Sequence, residues 1–347
     1  MNDVKAYAAV NATSRLAPFS IKRRAPNATD VVIDIKFCGV CHSDIHQVRD
    51  EWGNATFPMV PGHEIVGIVT AIGSAVKKFK VGDQVGVGCL VDSCQDCSAC
   101  SEGLEQFCEK GMIGTYNSFE KDKKTPTYGG YSKSITVKEN FVLQIPKALS
   151  LAAAAPLLCA GITTYSPLMH WKAGPGKKVA IIGLGGLGHM AVKIAHALGA
   201  EVTVLSHSAK KKEDALRLGA NHFYNTSNQE TFTNLNSRFD LILNTVSVDL
   251  DWNLYLNLLR RDGHMIILGV PTKAPPVGAF SIIMNRRSLA GSLIGGLKET
   301  QEMLDFCGKH NITSDVEVIA MDTINESYER MIKGEVKYRF VIDLATL

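Results

Sequence analysis

The sequence predicts an α/β chain in two parts, one β-rich and one built as a doubly wound parallel sheet. Three observations predict it. At 347 residues the chain is long for a single core, so two domains are expected. Residues 1 to about 150 carry short apolar runs broken by Gly, Pro and Asp. After Lys178 the pattern alternates strand and helix.

In the first part, Val31–Phe37, Ile65–Ile72 and Gln84–Leu90 are expected strands. Gly62, Gly67, Gly73, Gly82, Gly86 and Gly88 suit tight turns in a barrel-like sheet. Glu120–Lys124, followed by Thr125-Pro126, is an expected surface loop. Leu151–Ile162 is nearly apolar but interrupted by Pro156 and Gly161, and it falls short of the roughly 20 residues a bilayer span needs. In the second part, Val179–Ile182, Glu201–Leu205, Phe239–Asn244 and His264–Leu268 are expected strands, with helices at Leu187–Leu198 and Lys211–Leu218. From about residue 292 the pattern is less clear.

A hydrophobic content of 46% with 20% charged residues places the chain among ordinary globular proteins. The net charge is only +3, and the one dense basic run, Lys210-Lys211-Lys212, is followed at once by Glu213 and Asp214. That argues against a nucleic-acid or anionic-membrane partner. The opening Met1-Asn2-Asp3-Val4-Lys5 has no apolar core of a secretion signal, so the cytoplasm is the expected location. Nine Cys is an odd number, and four crowd into Cys94–Cys108. Without a secretory signal such crowding points to metal, not to a disulfide framework.

Gly183-Leu184-Gly185-Gly186-Leu187-Gly188 is a G-x-G-x-x-G between a strand and a helix. In that context the first Gly permits the tight turn, the second lets the backbone approach a pyrophosphate, and the third allows close helix packing. The competing reading is a Gly-rich turn with no ligand. A carboxylate about 20 residues on usually holds the ribose of NAD. Here Ser206-His207-Ser208 and the following lysines, Lys212 among them, stand instead. Hydroxyls and cations hold a 2′-phosphate, so NADP(H) is favoured; the competing reading is a solvated helix start with exposed lysines.

Cys94-x2-Cys97-x2-Cys100-x7-Cys108 is the sharpest motif. Four thiolates close a tetrahedral zinc, which is then structural. Iron–sulfur clusters also take four Cys, but with different spacings. A nucleic-acid zinc module should be basic, whereas this lobe carries Asp92, Asp96, Glu102, Glu105 and Glu109. A second set, Cys41, His63-Glu64 and Cys159, is dispersed. Two Cys and one His leave one tetrahedral position open, as a Lewis-acid site requires. Spacing alone links them weakly, because a lone buried Cys is more often a small hydrophobe. Cys38, Cys89 and Cys307 take that plainer reading.

These segments resemble the medium-chain zinc alcohol dehydrogenases, and within them the cinnamyl alcohol dehydrogenase branch. The likeness covers the whole chain and rests on Cys38-Gly39-Val40-Cys41-His42-Ser43-Asp44, Pro61-Gly62-His63-Glu64, the four-Cys lobe, Tyr128-Gly129-Gly130-Tyr131, Leu157-Leu158-Cys159-Ala160-Gly161, the Gly-rich turn and Lys337-Tyr338-Arg339-Phe340. The dispersed ligand set is the one such enzymes use, so that inference is a match and not an independent derivation. The resemblance implies a GroES-like β-rich catalytic domain, 1–154 with 290–347, and an inserted Rossmann domain, 155–289, with the active site in the cleft between them. It implies two zinc ions: one on Cys41, His63 and Cys159 with Glu64 or water fourth, and one on Cys94, Cys97, Cys100 and Cys108. It gives Asp44 the task of orienting His63, and Ser43 and His46 a proton relay through the cofactor ribose. His42 and Arg339 would meet the pyrophosphate, and Trp52, Gln47, Cys89, Val270, Pro271, Met284, Leu293 and Ile294 would line the pocket. Gly114 replaces a bulky aromatic of the plant lignin enzymes, which suits a broad range of aldehydes. Relatives are often homodimers.

The leading expectation is therefore an NADP(H)-dependent enzyme interconverting primary alcohols and aldehydes, its partner a small molecule. A polyol or secondary-alcohol dehydrogenase of the same superfamily is the alternative. A catalytically silent zinc- and nucleotide-binding protein is the alternative from another class, disfavoured because Ser43 and His46 are both present.

Overall fold

The computed structural model describes residues 2–271 and 273–347. The chain divides into two compact units, 1–162 with 295–347, and 163–294. The expected boundaries fell at 154/155 and 289/290. The strand Ser288–Gly291 is the last of the second unit's parallel sheet, so a cut at 289/290 would split it.

The first unit is organised on the long strand Asp30–Gly39. Its apolar residues Val31, Ile33 and Ile35 are buried, with the alternation of a strand that has one face in a core. It pairs antiparallel with Ile65–Ile72 along one edge. Along the other edge its first half pairs with Ser134–Lys138 and its last residues with Arg339–Asp343. The C-terminal segment thus returns to the N-terminal sheet. The single strand expected at Gln84–Leu90 is two, Gln84–Val87 and Leu90–Asp92. Gly88 lies in the break, where a Cβ would stand 3.1 Å from the carbonyl oxygen of Leu158, a tight approach. The obscure stretch beyond residue 292 contains two helices, Leu297–His310 and Ile324–Ile332.

The second unit is a parallel sheet in the order His222–Asn225, Glu201–Ser206, Lys178–Ile182, Phe239–Asn244, Leu259–Ile267, Ser288–Gly291. The chain winds outward both ways from Lys178–Ile182, the doubly wound arrangement in which ligands sit beyond the strand carboxyl ends at the reversal. Ile182, Leu205, Phe239, Ile242, Trp252 and Met265 fill its core. The strand Leu259–Ile267 begins five residues earlier than expected, because Arg260, Arg261 and Asp262 interrupt the apolar signal.

Among the described residues no single helix is long and apolar enough to cross a membrane. The apolar stretch from Leu151 breaks into Leu151–Leu158 and Ala160–His170, bent by 55°.

Candidate active site

Cys41 stands just before the helix His42–Val48. The Asp44 carboxylate turns back to accept the backbone N–H of Cys41 at 2.9 Å, satisfying a donor left open at the helix start. Its other oxygen accepts from the Gly62 backbone N–H and lies on His63 Nδ1, both at 3.1 Å. One fully buried carboxylate therefore ties the Cys41 helix to the segment that carries His63. A carboxylate accepts, so Nδ1 holds the proton and Nε2 is left for a metal. Gly62 has φ +104, and a Cβ there would come within 2.7 Å of the Tyr131 ring. Only glycine fits that turn.

Cys159 ends the short 3-10 helix Ala155–Leu158 and faces the same point. Donor atoms of Cys41, His63, Glu64 and Cys159, all buried, lie within 4.8 Å of one another. The Cys41 and Cys159 sulfurs are 4.0 Å apart. Two thiolates on one tetrahedral zinc stand about 3.8 Å apart by the Zn–S bond length. The donor set fits the metal. Burial pushes the Glu64 carboxyl up to about 7, although Arg339 pulls the other way. Its Oε1 accepts from Arg339 Nη2, and its Oε2 finds no partner among the described residues. A buried acceptor left open costs free energy unless something meets it, and a cation would. The hydrogen bond from Cys159 lowers Cys41 well below an ordinary thiol and correspondingly raises Cys159. Binding a cation there would require both thiols as thiolates and would release their protons.

Cys94, Cys97, Cys100 and Cys108 also converge, with the Cys94 and Cys100 sulfurs 3.8 Å apart. Backbone N–H groups of Cys94 and Cys97 donate to the sulfurs of Cys108 and Cys94, each at 3.4 Å. This set offers sulfur only and leaves no open position.

Ser43 Oγ is 3.6 Å from Cys41 Sγ. His46 lies one turn on, half-exposed, its Nδ1 on the Glu51 carboxylate and its ring stacked on Trp52 at 5.2 Å. His42 is exposed, 6.5 Å from His46 between ring centroids. Sequence reasoning missed Glu51, which lies beyond the helix end, and Tyr116, whose ring stacks on His63 at 5.8 Å. Arg339, expected at a pyrophosphate, is buried against Glu64.

In the second unit, Gly183 has φ +87 and turns the chain out of the strand Lys178–Ile182. A Cβ on Gly188 would lie 2.3 Å from the Gly183 carbonyl oxygen, so the helix Gly186–Ala197 packs where only glycine allows. A Cβ on Gly185 would meet nothing within 4 Å. That open space in front of a helix N-terminus fits a phosphate. Ser206 ends the strand Glu201–Ser206, its Oγ accepting from Ser208 N at 3.3 Å. His207 and Lys212 are exposed. It is Lys211, unselected in the sequence, whose ammonium reaches the Leu184 carbonyl of the Gly-rich turn at 2.8 Å.

Known proteins agree with this arrangement. Residues 27–147 match the alcohol dehydrogenase GroES-like domain, and residues 186–309 match the zinc-binding dehydrogenase domain. The NADP-dependent alcohol dehydrogenase C 1 of Mycolicibacterium smegmatis is 60% identical, covering 100% of this chain and 99% of its own length. The aldehyde reductase YahK of Escherichia coli is 54% identical over 99% of both. The cinnamyl alcohol dehydrogenase SbCAD4 of Sorghum bicolor superposes with a TM-score of 0.96 at 43% identity, covering 99% of this chain and 98% of that one. With both domains matched and both cysteine sets assembled, the chain belongs to the medium-chain zinc alcohol dehydrogenase family.

Proposed function

We propose that the protein is an NADP(H)-dependent dehydrogenase acting on primary alcohols and, above all, reducing a broad range of aldehydes. The observation that carries this reading is the buried Cys41, His63 and Cys159 set, with two thiols and one imidazole beside a relay of Ser43 and His46. When bound, zinc on these three residues supplies a Lewis acid for the substrate oxygen, and NADP(H) on the Gly-rich turn supplies or takes the hydride. The chain's residues do the rest. Asp44 fixes the tautomer and plane of His63. Ser43 Oγ gives or takes the proton at the substrate oxygen, and His46 passes it outward to Glu51 at the rim. Glu64 balances the Arg339 guanidinium, and with a carboxylate oxygen among the converging donors it would be available, as water would, to complete the metal's ligands. Ser206, Ser208, Lys211 and Lys212 favour the 2′-phosphate, in keeping with the cofactor named for the Mycolicibacterium smegmatis relative. Six cysteines grouped for metal need thiolates, so the enzyme works in a reducing compartment, the cytoplasm.

The test is kcat/KM for NADPH and NADH across a panel of aldehydes. Wild type should prefer NADPH. Ser206→Asp adds repulsion against the phosphate and an acceptor for the ribose hydroxyl. Charge-assisted hydrogen bonds are worth about 1.5–3 kcal/mol, so the ratio should move toward NADH by about 10–100-fold. A wild type that prefers NADH, or an unchanged ratio in the variant, overturns the cofactor assignment.

A further inference from the structure

Tyr116 is buried, and its ring faces the His63 ring with 5.8 Å between centroids and 26° between planes. The neighbours of Tyr116 pin it from both sides. Thr115 donates from its backbone N–H to the Cys89 carbonyl at 3.1 Å and from its hydroxyl to the Gly88 carbonyl. Asn117 accepts the Thr56 N–H at 2.8 Å and donates to Gln47 Oε1 at 2.6 Å, so it joins the tyrosine to the helix that carries Ser43 and His46. A ring held this way is a fixed wall, and an imidazole against it loses freedom to rotate about its bond to the backbone.

Asp44 at Nδ1 and the Cys41 thiol both hydrogen-bond the His63 ring in its plane, and neither bears on its face. We infer that Tyr116 is a positioning residue: its ring sets the plane of His63 and aims Nε2 at the point where the Cys41 and Cys159 sulfurs converge. The inference rests on the proposed zinc site.

The experiment measures zinc release from the purified protein into a chromogenic chelator. Cobalt substitution tells the two sites apart, since two and four thiolates give different absorption intensities. Tyr116→Leu and Tyr116→Met remove the ring and keep bulk; Tyr116→Phe keeps the ring. Partners of metal-bound histidines alter metal affinity by about 10–100-fold. The ring-less variants should therefore release the metal of the Cys41 site about tenfold faster, with release from the four-Cys lobe unchanged. Their kcat should fall more than their KM rises. Tyr116→Phe should release metal at the wild-type rate. The inference fails if the ring-less variants keep wild-type release, or if Tyr116→Phe loses metal as fast as they do, because the hydroxyl and not the ring would then be acting. It also fails if neither ring-less variant folds, since such a ring is simply core. A wild type that releases only one zinc overturns the underlying metal site instead.

Discussion

The two cysteine clusters hold their sulfurs at nearly the same separation, 4.0 Å for Cys41 with Cys159 and 3.8 Å for Cys94 with Cys100, yet they are built in opposite ways. The lobe takes four sulfurs from 15 consecutive residues, so a metal on it would tie one short stretch of chain together. The other cluster takes two sulfurs and an imidazole from segments up to 118 positions apart, held in place by a helix start, the turn at Gly62 and the short helix before Cys159. On the proposed reading a metal would order the first, whereas the fold already assembles the second for it. Each has a buried acceptor with no partner among the described residues, Gln106 Oε1 in the lobe and Glu64 Oε2 in the dispersed cluster, but only Glu64 is itself one of the converging donors.

The largest expected effects separate these roles. Cys159→Ala should cut turnover by about a thousandfold or more, because Lewis-acid stabilisation is worth several kcal/mol, while the melting temperature moves by only about 2 °C. Cys100→Ala should instead lower it by about 10 °C, since a closed zinc site contributes directly to folding. Calorimetry and steady-state kinetics on both variants check this. Equal thermal losses would erase the distinction.

The same contrast explains what was legible in the sequence. The four-Cys lobe and the Gly-rich turn are local, so their spacing carries their chemistry, and Gly183, Gly185 and Gly188 occupy the three geometries that the motif requires. The dispersed cluster is not local. Resemblance, and not spacing, brought Cys159 to Cys41, because no periodicity reports a contact across so much chain. Side-chain reach was hidden for the same reason. Three adjacent lysines look alike in sequence, and only the turn into the helix Lys212–Arg217 decides that Lys211 points at Leu184. Tyr116 and Glu51 left no signal, since a stacked ring and an acid past a helix end match no motif. The two-part fold was visible, whereas the boundary implied by the resemblance, at 289/290, falls inside the strand Ser288–Gly291.

A smaller effect comes from the carboxylates that brace each cluster. Asp44→Asn should weaken metal binding at the Cys41 site about 10–100-fold, because Asp44 orients His63 and also fixes the Cys41 and Gly62 backbones. Asp92 pairs with Lys121 at 3.2 Å and with Lys138, holding the base of the lobe to its strand. Asp92→Asn should lower the melting temperature by about 3 °C with turnover intact. Metal titration and thermal scans on the pair check both. If Asp92→Asn removed activity, the lobe would be part of the reacting centre and the contrast would fail.

The smallest effects are at the rims, where each cluster has an exposed ion pair. Lys110 and Asp96 meet at 2.8 Å across the lobe, with side chains 64% and 63% exposed. Such pairs contribute little in water, so Lys110→Ala should shift the melting temperature by about 1 °C or less and leave kcat alone. The pair of His46 and Glu51 is less accessible, at 32% and 44%, and lies on the proton route proposed from Ser43. A well-placed general acid or base is worth about 10²–10⁴-fold, and an outer step that water partly replaces is worth less. Glu51→Gln keeps the shape and removes the charge, so kcat should fall about three- to tenfold with KM nearly constant. The deficit should shrink as a small, mobile buffer base is added, because such a base takes the proton from His46 in place of Glu51. Kinetics of both variants across a buffer series decide the matter. If Glu51→Gln behaves like Lys110→Ala, with full kcat and no buffer response, then both rims are ordinary surface and the relay ends at His46.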